Sequence, residues 1–295
     1  MKLRVLTGVG YFVVVATFFL LKVFVSDLFF DLLIYACALI GTYEIVRAFR
    51  DKLTNAEIST VFSFATVCFP ATALVEQLLG NGGVIAFGVC FFAFTIALLC
   101  LLVTRYEETT VESLGISFLS AVYPTLLLSL LVLTNHLSNE TADALAFNSN
   151  LAILLIFVVS PVSDTTAFFF GKFLRKKFPK KMVESISPNK TVIGGIGGIV
   201  GGVVGGAIVY FVYNALFGSF DNMWTWLGVY VAIGALAALA NAFGDLVESA
   251  IKRKVGIKDM GKILPGHGGI LDRIDGTLFT AITVYIVFVI VFALI

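Results

Sequence analysis

Five residues in the stretch 241–253, namely Asn241, Asp245, Glu248, Ser249 and Lys252, recur at spacings of three and four. A helix here carries them on one face. Asp245 falls at the edge of an apolar run, where a carboxylate is costly unless it faces a cavity or a partner. A helix leaving a bilayer with intrahelical ion pairs has the same pattern. Downstream come Lys258, Asp259, Gly261, Lys262, Pro265, Gly266, His267, Gly268 and Gly269, then Asp272, Arg273 and Asp275. Gly and Pro break a helix and leave a loop whose N–H groups can meet phosphate oxygens. Asp272 and Asp275, three apart, open the last apolar run, although acids there also suit the helix dipole. Hard oxygen ligands from Asp245 and Asp272 suit magnesium, which binds through one or two carboxylates plus substrate phosphates. His267 has no second His or Cys nearby in sequence, which argues against zinc.

Two upstream segments add to this set. Ser187-Pro188-Asn189-Lys190-Thr191 precedes a glycine-rich apolar run. It reads as a helix start with Ser187 as N-cap and Pro188 in the first helical position. Such an end, with Lys190 and Thr191 beside it, is an anion site or simply a capped helix. Asp164 lies between apolar flanks and is expected to face a cavity or to pair with Lys190 or Lys252. Carboxylates for a hard cation, many Lys and Arg for phosphates and an apolar setting point to magnesium-assisted phosphoryl or nucleotidyl transfer on a lipid. Such transfer needs positioning and charge neutralisation more than a protein nucleophile.

The elements that must hold these residues follow from composition. Of 295 residues, 59% are hydrophobic and 13% charged, whereas a soluble domain carries roughly 25% charge. The mean hydropathy is +1.01, so lipid is the solvent for much of the chain. Windows of about 20 apolar residues predict nine membrane-spanning helices, at 5–25, 28–48, 60–79, 84–104, 116–135, 151–170, 192–217, 224–246 and 274–295. The first run follows Lys2 and Arg4 without a small-residue cleavage pattern, and reads as a retained helix. With the N-terminus in the cytoplasm, every Lys and Arg except Lys22 falls on the inside, as the positive-inside rule requires. The seventh run repeats glycine at 194, 198, 202 and 206, one face of a helix suited to close packing. Cys37, Cys68, Cys90 and Cys100 lie in apolar runs without metal-ligand spacing and read as small buried hydrophobes. No soluble domain, long repeat or linker is expected. Residues 1–110 read as scaffold helices and 111–295 as the working region, an all-α polytopic membrane protein.

The stretch 249–275 resembles the signature of the phosphatidate cytidylyltransferase (CDP-diglyceride synthase) family. The matching residues are Ser249, Lys252-Arg253, Lys258-Asp259, Leu264-Pro265, His267-Gly268-Gly269 and Asp272-Arg273-Ile274-Asp275. Gly244-Asp245-Leu246, Glu248, the region around Asp164 and Ser187–Thr191 look like further family elements. One position departs: the family usually has Glu two residues after that Thr, and here Ile193 stands there. The resemblance implies a nine-span fold that joins CTP to phosphatidic acid at the cytoplasmic face of the cell membrane, gives CDP-diacylglycerol and pyrophosphate, and forms a homodimer. It implies Mg²⁺, with room for a second cation, on Asp245 and Asp272. Lys252, Arg253, Lys258 and Arg273 would neutralise phosphates, with Asp245, Asp272, Lys252 and Arg273 as the catalytic group. His267, Gly268 and Gly269 would shape the nucleotide loop, while Ser187, Lys190 and Thr191 would hold a substrate phosphate. Asp164, Glu248, Ser249, Asp259 and Asp275 are further candidates. Nucleic acid is not an expected partner. A transporter is the rival from another class, since polar residues at membrane depth mark ion paths, and a lipid kinase on the same scaffold is a second.

Overall fold

Apolar runs in lipid must satisfy their own backbone groups, and helices do so within one segment. The computed structural model describes residues 2–79, 82–137, 148–217 and 222–294. Its elements are α1 (Lys2–Phe24), α2 (Leu28–Ala48), α3 (Asn55–Leu79), α4 (Gly83–Thr104), α5 (Val111–Ala121), α6 (Leu127–Asn135), α7 (Ser149–Leu174), α8 (Val192–Phe217), α9 (Met223–Val255) and α10 (Leu271–Leu294). A π-helical turn, Val122–Leu126, joins α5 to α6, so these three form one span. Pro124 sits inside that turn. It has no N–H to give and clashes with the preceding turn of a regular helix, so a wider turn fits there. Among the described residues nine helices are long and apolar enough to cross a membrane. Ile295, the last residue of the expected ninth span, lies outside the described residues.

The chain divides into two compact units, 1–136 with 255–273 and 137–254 with 274–295. In the first, aromatic rings seat α3 against α4 and α5. Phe64 and Phe94 have centroids 4.7 Å apart, and Phe94 and Phe118 meet edge to face at 5.6 Å. Glu57 is buried and fixes the start of α3. Its Oε2 accepts from Thr54 N and Oγ1, both at 2.8 Å, and its Oε1 accepts from Ser113 Oγ of α5 at 2.5 Å. At the other end of this unit Lys22 is buried and bonded to Asp27 at 2.5 Å, and His136 meets Asp31 at 2.7 Å.

In the second unit the glycines of α8 allow backbones to touch. A Cβ at Gly194 would lie 3.1 Å from the Ala167 carbonyl oxygen of α7, and one at Gly206 would lie 3.0 Å from the Tyr230 carbonyl carbon of α9. The four-residue glycine repeat therefore does not face one partner. Gly194 and Gly198 meet α7, whereas Gly202 and Gly206 meet α9. One packed face became two because the repeat drifts around the 3.6-residue helix. Of the cysteines only Cys68 is buried, and Cys100 is exposed. On a membrane helix an exposed thiol is one that faces outward from the protein, where lipid accepts it as readily as the core would.

Candidate functional site

Two clusters carry the sequence-derived candidates, one in each unit. In the second unit, α7, α8 and α9 enclose an open cavity of about 740 Å³. Helix α7 brings Asp164, Lys172 and Arg175 to it, the loop before α8 brings Asn189, Lys190 and Thr191, and α9 brings Asp245. Asp245 forms an ion pair with Lys190 and accepts a long 3.4 Å hydrogen bond from Ser249 Oγ one turn on. Asp164 does not pair with Lys190 or Lys252 as its position suggested. Its Oδ1 accepts from Asn241 Nδ2 at 2.7 Å, and Asn241 Oδ1 accepts from Ser160 Oγ at 2.6 Å. The two lysines are taken elsewhere. Lys190 holds Asp245, and Lys252 donates to the fully buried Glu248 at 2.7 Å. Asp275 lies beside Glu248, and its Oδ1 accepts from the next backbone N–H, that of Gly276, at 2.8 Å.

The loop before α8 also differs from its expected form. Ser187 is not the N-cap. Residues 187–190 make a tight turn, closed by Lys190 N donating to Ser187 O at 3.2 Å. The helix begins at Val192, and Thr191 caps it by accepting from Gly194 N at 3.1 Å. A proline pre-set for a turn serves as well at 188 as at a helix start, and the threonine downstream is the better-placed cap. The result leaves Lys190 aimed into the cavity from the turn. Ile193, where the family usually has an acid, lines a separate smaller pocket with Phe178, Pro179 and Ile196. The residue at that position is thus off the main cavity. Arg253 reaches back to the same loop, with Nε 3.4 Å from Ile186 O.

The first unit contains the glycine-rich loop, 256–270. Leu264 N donates to Gly268 O at 2.9 Å, and His267 N to Leu264 O at 2.9 Å, closing a hairpin-like turn. Gly266 and Gly268 have φ of 79° and 86°, a region that side chains avoid. Asp272 Oδ2 accepts from Met260 N and Gly269 N, both at 2.8 Å, and from Gly261 N at 3.4 Å. One oxygen of Asp272 is thus committed to holding the loop. Lys258, Asp259, Lys262, His267 and Arg273 line a cavity of about 530 Å³. The His267 ring is held by α1, where Thr7 Oγ1 lies 2.6 Å from Nδ1.

Glu44 of α2 was missed in the sequence. It is 1% exposed, and its two oxygens accept from Ile270 N at 3.0 Å and Leu271 N at 2.9 Å. The available signal was an acid inside an apolar span, which calls for a partner. Lys172, Arg175 and Asn189 also join the cavity without having been singled out for roles.

Comparison with known proteins decides what this scaffold is. A family model described as the cytidylyltransferase family matches residues 2–291. The chain belongs to the cytidylyltransferase family. A Bacillus subtilis phosphatidate cytidylyltransferase is 32% identical over 279 residues, 95% of this chain and 94% of the relative. Phosphatidate cytidylyltransferases of Helicobacter pylori and Staphylococcus aureus are 42% and 44% identical over 138 and 129 residues. In those two alignments the chain spans a little under half the relatives' length, 46% and 45%.

The donor set fits a magnesium ion on one observation. Asp245 and Asp164 open on one cavity together with Lys172, Arg175 and Lys190. Among the described residues no group of three or more His, Cys, Asp or Glu forms a ready-made cage. Magnesium needs none, since it keeps water and takes its remaining ligands from substrate phosphates.

Proposed function

We propose that this chain transfers the cytidylyl group of CTP to phosphatidate in phospholipid synthesis. A phosphatidate oxygen attacks the α-phosphorus of CTP. The new P–O bond gives CDP-diacylglycerol, the bond from the α-phosphorus to its bridging oxygen breaks, and pyrophosphate leaves with that oxygen. Phosphatidate is already an anion near neutral pH, so the step needs charge neutralisation more than a general base. The observation that carries the reading is the near end-to-end likeness to the Bacillus subtilis phosphatidate cytidylyltransferase.

The cavity geometry supports a division of roles. Lys172, Arg175 and Lys190 bind phosphate oxygens at the cavity of the second unit, with Asn189 and the Thr191 end of α8 behind them. Lys258, Lys262, His267 and Arg273 of the loop take the nucleotide phosphates. Lys252 and Arg253 add positive charge at the end of α9. Magnesium would be held by Asp245, with Asp164 on the same cavity, and when bound it would neutralise charge on the phosphates. The chain works in the plasma membrane with its site toward the cytoplasm, a placement supported by the one-sided distribution of Lys and Arg, and it assembles as a homodimer.

The test is pyrophosphate release from oriented membrane vesicles supplied with CTP, phosphatidate and Mg²⁺, leaving out each in turn. Release should require all three and should occur only when CTP is on the cytoplasmic face. Release that ignores phosphatidate would defeat the proposed reaction, and release with CTP on the opposite face would defeat the orientation.

A further inference from the structure

Four loop amides and the first amide of α10 end on two protein carboxylates. Met260, Gly261 and Gly269 donate to Asp272, and Ile270 and Leu271 donate to Glu44. Glu44 is 226 residues before Ile270 in the chain. Its carboxyl also explains two glycines of the loop. A Cβ at Gly261 would lie 2.6 Å from Glu44 Cδ, and all three atoms nearest a Cβ at Gly269 belong to the Glu44 carboxyl group. Gly261 and Gly269, which look like part of a phosphate cradle in the sequence, are small because a carboxyl group lies against them. These five amides are spent on carboxylates and not on phosphate. The basic and imidazole side chains on the outer surface, Lys258, Lys262, His267 and Arg273, line the cavity open to a nucleotide.

We infer that Glu44 is a positioning residue for nucleotide binding. It fixes the junction between the loop and α10 so that these four side chains converge on one cavity. The inference rests on the proposed reaction, in which the loop binds the phosphates of CTP. A buried carboxylate is a costly fastener, and an apolar side chain could hold α2 against the loop without it. Two acceptors aimed at successive amides instead fix the direction of the backbone.

Glu44→Gln keeps the shape and puts an NH₂ group against one of the two donors. Purified full-length chain in lipid nanodiscs is assayed for turnover with each substrate varied. Glu57→Gln, a buried acid of the same unit that bonds Thr54 and Ser113, reports what loss of a structural carboxylate does. The KM for CTP should rise about tenfold in Glu44→Gln, the scale of losing one hydrogen bond to a charged group, with the KM for phosphatidate within about twofold. Glu57→Gln should lower Tm and leave the ratio of the two KM values unchanged. If Glu44→Gln does not fold, Gly269→Ala presses on the same carboxyl and carries the same expectation. An unchanged KM for CTP in the folded variant, or equal changes in both KM values, would overturn the inference. The wild-type assay is read first, so failure of the proposed reaction is seen before any variant is made.

Discussion

At the residue scale the informative feature is the pairing of Lys190 with Asp245. Their side chains are 27% and 37% exposed, so the pair is part-solvated and adds little to stability. Its place on the cavity gives it another purpose. In the proposed reaction Lys190 would hold the acid in position until a phosphate engaged the lysine, which would leave Asp245 to hold a metal. Lys190→Met is therefore expected to lower kcat about a hundredfold, the usual cost of removing one preorganised charge-stabilising donor, with Tm nearly unchanged. Circular dichroism melting and steady-state turnover check both halves. Asp245 itself was legible in the sequence as an acid at a membrane boundary. The partner of Asp164 was not, because the sequence pointed to Lys190 and Lys252, and only the packing of α7 against α9 brings Asn241 to it. Glu44 was overlooked for the opposite reason. It sits in an apolar span, and its partners are backbone amides, which leave no trace in a sequence.

At the scale of elements, hydropathy found the apolar part of each helix and missed the polar turns at their ends. α3 begins at Asn55 rather than residue 60, α7 runs on to Leu174, and α9 runs on to Val255. The extra turn of α7 carries Lys172 to the cavity, and the last turns of α9 carry Lys252 and Arg253, so the unseen ends carry residues the proposed reaction uses. The apolar run 192–217 matched α8 at both ends, but its cap was expected at Ser187, because proline at 188 suits a turn as well as a helix, and Thr191 is the cap observed. The glycine repeat was legible as a packing device, but not its division between two neighbours. That division is open to test. A Cβ at Gly202 would lie 2.5 Å from Ala238 Cβ and 3.0 Å from the Gly234 carbonyl carbon. Gly202→Val should destabilise the second unit by about 1–3 kcal/mol through overpacking, seen as a lower Tm in detergent. Gly228→Ala, with nothing within 4 Å of the added carbon, should leave Tm unchanged or slightly raised, since alanine is the better helix former. Equal melting of the two variants would contradict the close contact between α8 and α9.

At the scale of the whole molecule, the outward surface matches its solvent. Phe12, Phe92, Val103 and Trp224 are between 67% and 79% exposed, which a soluble monomer would not tolerate over so many positions. Sequence hydropathy predicted this much, together with the nine helices long enough to span a bilayer among the described residues. It did not predict that the loop 255–273 folds with the N-terminal helices, because a loop's partners are set by hydrogen bonds such as those of Glu44 and Thr7 and not by periodicity. Each unit has a basic cavity of its own, one beside Asp245 and one at the glycine-rich loop. The direct test follows a label. CTP labelled at the α-phosphorus should pass its label into a chloroform-soluble product in the presence of phosphatidate and Mg²⁺, while CTP labelled at the γ-phosphorus should deliver label only to pyrophosphate. Transfer of the γ-label to lipid would make the chain a kinase, and no label in lipid from either CTP would contradict cytidylyl transfer altogether.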